Sequence, residues 1–159
     1  MKNFIQVLIL CVTISFVISS CQKDDAIEES DFISASINDE NWKGTPEIYI
    51  DTATDSLTIL GYGNEQHIFI KTKFKGEGTY NLENSKTNYY TTIGGDVITS
   101  NYTFDANSTS QLKITDYDSE LNIIKGEFQV SLLKKWSNPE NDIDKTIFKN
   151  GKFRGTIRD

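Results

Sequence analysis

Few side chains in this sequence have the types and spacing that chemistry needs. There is one histidine, His67, so any Ser/His/Asp triad would have to use it. It stands beside Gln66 at the start of an alternating run, on the polar side of that run, and no Gly-x-Ser-x-Gly elbow accompanies it. It reads as a surface histidine on a hairpin. Both cysteines, Cys11 and Cys21, lie near the N-terminus. The body of the chain therefore has neither a disulfide nor the ligands of a zinc site. Gly61-Tyr62-Gly63 and Gly76-Glu77-Gly78 lack the third glycine and the helix of a phosphate-binding loop. No cofactor is implied.

Carboxylates are plentiful. Asp116, Asp118 and Glu120 alternate across a hairpin tip, and Asn138, Glu140, Asn141, Asp142 and Asp144 crowd one loop. Neither stretch has the Asp-x-Asp-x-Asp-Gly order of a calcium loop, so both read as solvated turns and no metal is assigned. Glu127, on an expected strand, has the position of one glycosidase carboxylate, but no sequence rule supplies the second. No catalytic residue is assigned. Aromatic rings give a clearer lead. Tyr89 and Tyr90 are adjacent, so on a strand one must point away from the core. Trp136 stands at a strand end beside the acidic loop. Rings near Asn and Asp side chains suit the faces of sugars. The same three rings suit the half-buried rim of a β core better still, because Trp and Tyr commonly sit at such rims.

The elements that would position these residues are short strands. No window after residue 31 keeps a helical apolar period over three turns. Alternating runs rich in Ile, Thr, Tyr and Phe recur instead, separated by Gly, Asn and Asp. Runs are expected at 32–37, 47–51, 56–62, 67–75, 89–93, 97–104, 111–117, 121–133 and 146–157, with residues 76–80 leading into a polar stretch. Asn38 to Asn41, Gly63 to Gln66, Gly94 to Asp96 and Asp118 to Glu120 mark turns. About nine or ten strands with one apolar face each imply an all-β fold, an antiparallel β-sandwich or a flattened β-barrel.

The chain has 159 residues, which fits one domain of residues 32–159 behind an N-terminal segment. Asp plus Glu is 23 against 16 Lys plus Arg, a net charge of -7. With no basic cluster, nucleic acid is excluded as a partner.

The N-terminus is more explicit. After Lys2, residues 4–18 are almost wholly apolar. Fifteen residues are too few for a bilayer span, which needs about twenty, but suit a signal peptide. Ile18-Ser19-Ser20-Cys21 resembles the lipobox of bacterial lipoproteins. That resemblance implies a signal peptide over 1–20, cleavage before Cys21 and lipid on its thiol. Two or three acyl chains hold a protein at a membrane where one holds it marginally. Gln22-Lys23-Asp24-Asp25 resembles the surface-export signal of Bacteroidota lipoproteins. It opens an acidic tether over 21–31 whose Glu28, Glu29 and Asp31 would keep the chain extended and solvated.

The resemblance continues past the tether. Phe32-x-Ala-x-Ile-Asn up to Trp42, Gly78-Thr79-Tyr80, Leu112-Lys113-Ile114-Thr115, Gly126-Glu127-Phe128 and Asn150-Gly151-Lys152-Phe153 are similar to a family of small Bacteroidota lipoproteins of uncharacterised function. Asp39-Glu40 departs from it, because the first turn usually carries a glycine. The resemblance implies a β-rich exported domain and transfers no catalytic residue. The expected protein is a lipid-anchored outer-membrane domain that faces the cell exterior and acts as a binding or structural module, with a glycan or a protein as partner. The periplasmic face is the alternative location. A small carboxylate-dependent hydrolase and a closed barrel carrying an apolar ligand stay open as other functions.

Replacing the lipidated thiol tests the anchor. Cys21→Ala should release the protein from the membrane fraction into the soluble fraction; unchanged retention counts against lipidation.

Overall fold

The computed structural model describes residues 29–82 and 86–158. The expected signal peptide over 1–20, the expected lipidation site Cys21 and the expected export residues Gln22, Lys23, Asp24 and Asp25 lie outside the described residues. The described chain is all β. Its strands are β1 Phe32–Ile37, β2 Glu40–Asp51, β3 Ser56–Tyr62, β4 Gln66–Lys73, β5 Gly78–Asn81, β6 Lys86–Ile93, β7 Val97–Phe104, β8 Gln111–Asp118, β9 Ile123–Ser137 and β10 Lys145–Arg158.

The expected hairpins form at their turn residues, with one change. β2 begins at Glu40, where the sequence suggested only a run from Glu47. Gly44 and Pro46 break the alternation there, yet pairing overrides propensity: Gly44 lies opposite Ile33 of β1, and Pro46 opposite Gly61 of β3. Gly44 is required for space. A Cβ there would stand 2.8 Å from the Tyr62 carbonyl carbon. The first turn manages without its usual glycine because Asn38 and Asp39 both take positive φ, 48° and 73°. That is the backbone of a two-residue hairpin turn, which short polar side chains tolerate.

All the strands share one sheet, ordered β1-β10-β2-β3-β4-β6-β7-β9-β8-β5. Two further pairings, β1–β2 and β9–β10, join distant parts of it. The antiparallel circuit β1–β2–β3–β4–β6–β7–β9–β10 therefore returns to β1. β8 and β5 lie along the first half of β9, outside the circuit. The outcome is one large sheet folded on itself, a flattened and irregular form rather than a regular barrel. Its inner face buries Ile33, Ile48, Leu57, Ile59, Ile68 and Ile70. Phe148 sits among rings, edge-on to Trp42 at 5.7 Å and to Tyr89 at 5.3 Å. Such edge contacts add ~0.5–1.5 kcal/mol each beyond the area they bury.

The two ends of the folded sheet differ. At one end the chain enters. Arg154, buried on β10, donates to Asp31 at 2.6 Å and pairs with Glu29 at 3.6 Å. Lys125 also meets Glu29, at 3.2 Å, and the second Asp31 oxygen accepts from the Thr156 amide at 2.9 Å. Glu29 and Asp31, expected as solvated tether acids, are instead fastened to β9 and β10. β1 runs from this clamp to the opposite end, where it turns at Asn38 and Asp39.

Asp105, between β7 and β8, anchors a second junction. It is 3% exposed. It accepts from Ser108 Oγ at 2.6 Å, Lys145 Nζ at 2.9 Å, the Asn107 amide at 3.0 Å and Ser131 Oγ at 3.3 Å. The Ser108 hydroxyl above all, then Lys145, holds this carboxyl well below the usual carboxylate range. A carboxylate with a depressed folded value stabilises the fold above its unfolded value, near pH 4, and loses that effect as pH falls through the folded value. Urea unfolding of the native protein should therefore show stability falling steeply below about pH 4. Asp105→Asn should be less stable at neutral pH and show a shallower acid loss. Equal acid slopes in the two proteins would mean that Asp105 does not carry this effect.

Candidate functional site

Strand alternation decides which rings face out. On β6, Tyr89 points inward and is 5% exposed, against Tyr102 at 5.5 Å and Phe148 at 5.3 Å. Tyr90 therefore points outward, as the adjacent pair requires. Tyr89 is placed in the core and is not available as an outer stacking surface. Trp136, at the end of β9, is 43% exposed.

Register then brings the two outward rings into one line. Tyr62 lies opposite His67, His67 opposite Tyr90, Tyr90 opposite Asn101 and Asn101 opposite Trp136. The line crosses β3, β4, β6, β7 and β9. Strands lie ~4.8 Å apart, so it spans roughly 19 Å. His67 stacks on Tyr90 at 4.8 Å and meets the Tyr62 ring at 5.6 Å. Beside it runs a second outward line, Leu60, Phe69, Asn88, Thr103 and Leu133. Neither line contains an ionised carboxylate, a lysine or an arginine. Between β3 and β9 the band is uncharged and ring-bearing, with amide and hydroxyl groups set into it; the Glu47–Arg158 ion pair borders it beside Leu60 and Tyr62, and Lys145 borders it opposite Leu133.

A bulge makes this alignment possible. Tyr102 pairs with Lys134 and Asn101 with Trp136, so Lys135 has no partner on β7. Residues two apart on a strand share a face. Without the extra residue, Lys134 and Trp136 would point the same way. The bulge re-aims the chain. Lys134 points to the inner side, its side chain 13% exposed, and pairs with Glu140 at 2.5 Å and Asp144 at 3.2 Å. Trp136 turns outward. The hydrogen bond from Lys134 to Glu140 is the chief reason that the ammonium is held above its ordinary range.

The other candidate groups form no reactive set. Thr92 donates its hydroxyl to Glu65 at 2.6 Å, so its oxygen can only accept from His67 Nε2, at 3.3 Å. That is the reverse of an imidazole activating a hydroxyl. Glu127 lies between Lys113 and Lys152 on neighbouring strands. It faces a shallow groove lined also by Thr79, Gln111 and Gln129, and no second carboxylate of the described residues lines it. Asp118 accepts from the amides of Glu120 and Leu121, both at 2.9 Å, which is a turn closing on itself. Among the described residues, no group of three or more His, Cys, Asp or Glu is placed to hold a metal ion.

Sequence reasoning found Tyr90 and Trp136 but missed Tyr62, His67 and Asn101 as their partners. The Tyr62–His67 pair was within reach, because both flank a recognised turn. The Tyr90–His67 and Asn101–Trp136 pairs depend on which distant strands meet, and local spacing carries no signal for that.

Neither the curated proteins nor the solved structures hold a match to this chain. Residues 29–155 match a family described as a domain of unknown function, DUF6252. That span takes in β1 to β9 and most of β10, and the chain belongs to this family.

Proposed function

We propose that this protein is a lipid-anchored cell-envelope module that binds a neutral glycan along its outer aromatic line. The observation that carries the reading is the register that sets Tyr62, His67, Tyr90, Asn101 and Trp136 side by side on one face. Rings spaced across a sheet offer flat apolar surfaces to the C–H faces of successive sugars, and Asn101 offers an amide to their hydroxyls. The lack of charge in the band suits a neutral polymer better than an acidic one. Tyr62 and Trp136, at 38% and 43% exposure, are open enough to be touched.

The anchor belongs to the same reading. The lipobox-like Ile18-Ser19-Ser20-Cys21 and the acidic residues after it support an outer-membrane lipoprotein of Bacteroidota type, displayed outward. The tether meets the domain at the Arg154 clamp, and β1 leads from there to the opposite end. His67, Tyr90 and Trp136 lie near the strand ends of that far end, away from the anchor.

Retention on immobilised neutral polysaccharides tests the binding surface. Trp136→Ala and Tyr62→Ala should each weaken retention by about two- to tenfold, the value of one lost ring contact. Leu121→Ala, on the remote β8–β9 turn, should leave it unchanged. Absence of retention on every glycan, or retention indifferent to both ring substitutions, overturns the assignment.

A further inference from the structure

The end that carries the aromatic line also opens inward. A cavity of about 320 Å³ lies there, between the β1–β2 turn and the β9–β10 loop. That volume is at the lower end of the range for ligand sites, roughly 300 Å³ upward. Its walls are the opposite faces of the strands that build the outer line. Gln66 lines the cavity next to His67, Tyr89 next to Tyr90, and Ser100 next to Asn101. Buried rings of Trp42, Tyr89 and Tyr102 give it flat apolar walls.

Two phenols in those walls are poorly matched. Tyr89 is 5% exposed, yet its hydroxyl makes no hydrogen bond to any described residue. Tyr102, 2% exposed, reaches only Asn141 Oδ1 at 3.4 Å, beyond ordinary O–H···O length. Tyr89 Oη is not sealed off and so opens on the cavity, while Trp42 Nε1–H in the same wall is fully buried without a partner among the described residues; buried polar groups normally find partners, so donors left open beside a cavity point to something that fills it. Burial pushes the Tyr89 hydroxyl above the ordinary tyrosine range, so it keeps its proton and can donate.

Charge narrows the occupant. Among the lining residues only Glu40 is ionised, and it is exposed. No cation faces the space, which disfavours phosphates and carboxylates. Thr91 Oγ1 already bonds Ser100 at 2.6 Å and Thr99 at 2.9 Å, while the Gln66 amide shows no protein partner among the described residues. Asn141 and Ile143 close one side on the loop that Lys134 pins through Glu140 and Asp144. We infer that this cavity binds one neutral, hydroxyl-rich molecule of monosaccharide size, at a site separate from the outer line.

The two tryptophans separate the sites. Trp42 lines the cavity and Trp136 lies on the outer line, and the chain has no others. In purified full-length protein carrying Trp136→Phe, the remaining emission reports the cavity. Titration with glucose, galactose and N-acetylglucosamine should give a saturable change with at least one, and none with gluconate. Tyr89→Phe and Gln66→Ala, each added to that background, should weaken the response about tenfold, the effect of one lost hydrogen bond. The phenylalanine variant keeps the ring contacts, so a fall in response is not a failure of folding. No saturable response to any of the three sugars, or responses unchanged in both variants, overturns the inference. The reciprocal Trp42→Phe protein reports only Trp136. Its response to polysaccharide should be indifferent to Tyr89→Phe, so failure of the cavity and failure of the outer line are read apart.

Discussion

The fold depends on how closely β9 and β10 approach. Each of these long strands pairs on both edges, β9 with β7, β8 and β10, and β10 with β1, β2 and β9. Where they meet, Phe153 lies opposite Gly126 and Phe128 opposite Gly151. A Cβ on Gly126 would stand 2.7 Å from the Phe153 ring, and one on Gly151 would stand 2.6 Å from the Phe128 ring. Each ring thus occupies the room that the partner strand's glycine leaves. This reciprocal fit lets two buried aromatic residues pack within the seam without forcing the strands apart. Overpacking such a contact costs about 1–3 kcal/mol or more. The same seam joins distant parts of the sheet, so the closed circuit rests on it.

Closure gives the molecule two unlike ends. Arg154, three residues beyond Gly151, receives Asp31 and Glu29 and fixes where the chain enters. A buried guanidinium needs such partners, because an unpaired charge out of water is costly. Glu29 and Asp31 are therefore part of the fold. β1 carries the chain from this clamp to the other end, where the outer rings and the inner cavity lie back to back on the same strand ends. Two bulges sit there, at the β6–β7 and β7–β9 pairings. Each lets neighbouring residues change face, which is how Trp136 reaches the outside while Lys134 holds the loop from within.

Much of this was legible in the order of residues. Alternation in Ile68-Phe69-Ile70-Lys71 placed β4 with one wet side, and Gly63 to Gln66 and Gly94 to Asp96 placed two hairpins. Gly126 and Gly151 stood out as parts of the Gly126-Glu127-Phe128 and Asn150-Gly151-Lys152-Phe153 motifs. What local sequence did not carry was pairing at a distance. Nothing near Tyr90 announces that β6 skips β5 to meet β4, or that β7 meets β9. The start of β2 was hidden because Gly44 and Pro46 contradict strand propensity and are tolerated only by their partners. The bulge at Lys135 was hidden for a related reason: it exists in the comparison of two strands and not in either alone. Tyr89 and Tyr90 show the boundary well. That one of them faces out follows from adjacency, but which one follows from the packing of Tyr102 and Phe148.

The central claim is that the anchor holds one end of the domain and the ligand surfaces lie at the other. It is tested most directly by energy transfer from the protein to a dye-bearing lipid bilayer. The native cysteines are Cys11 and Cys21 alone, so a single added cysteine can carry the donor on lipidated protein. Asn64→Cys places it on the β3–β4 turn at the far end, and Ser119→Cys on the β8–β9 turn beside the clamp. Transfer should be clearly weaker from position 64 than from position 119. Equal transfer, or stronger transfer from position 64, contradicts the account.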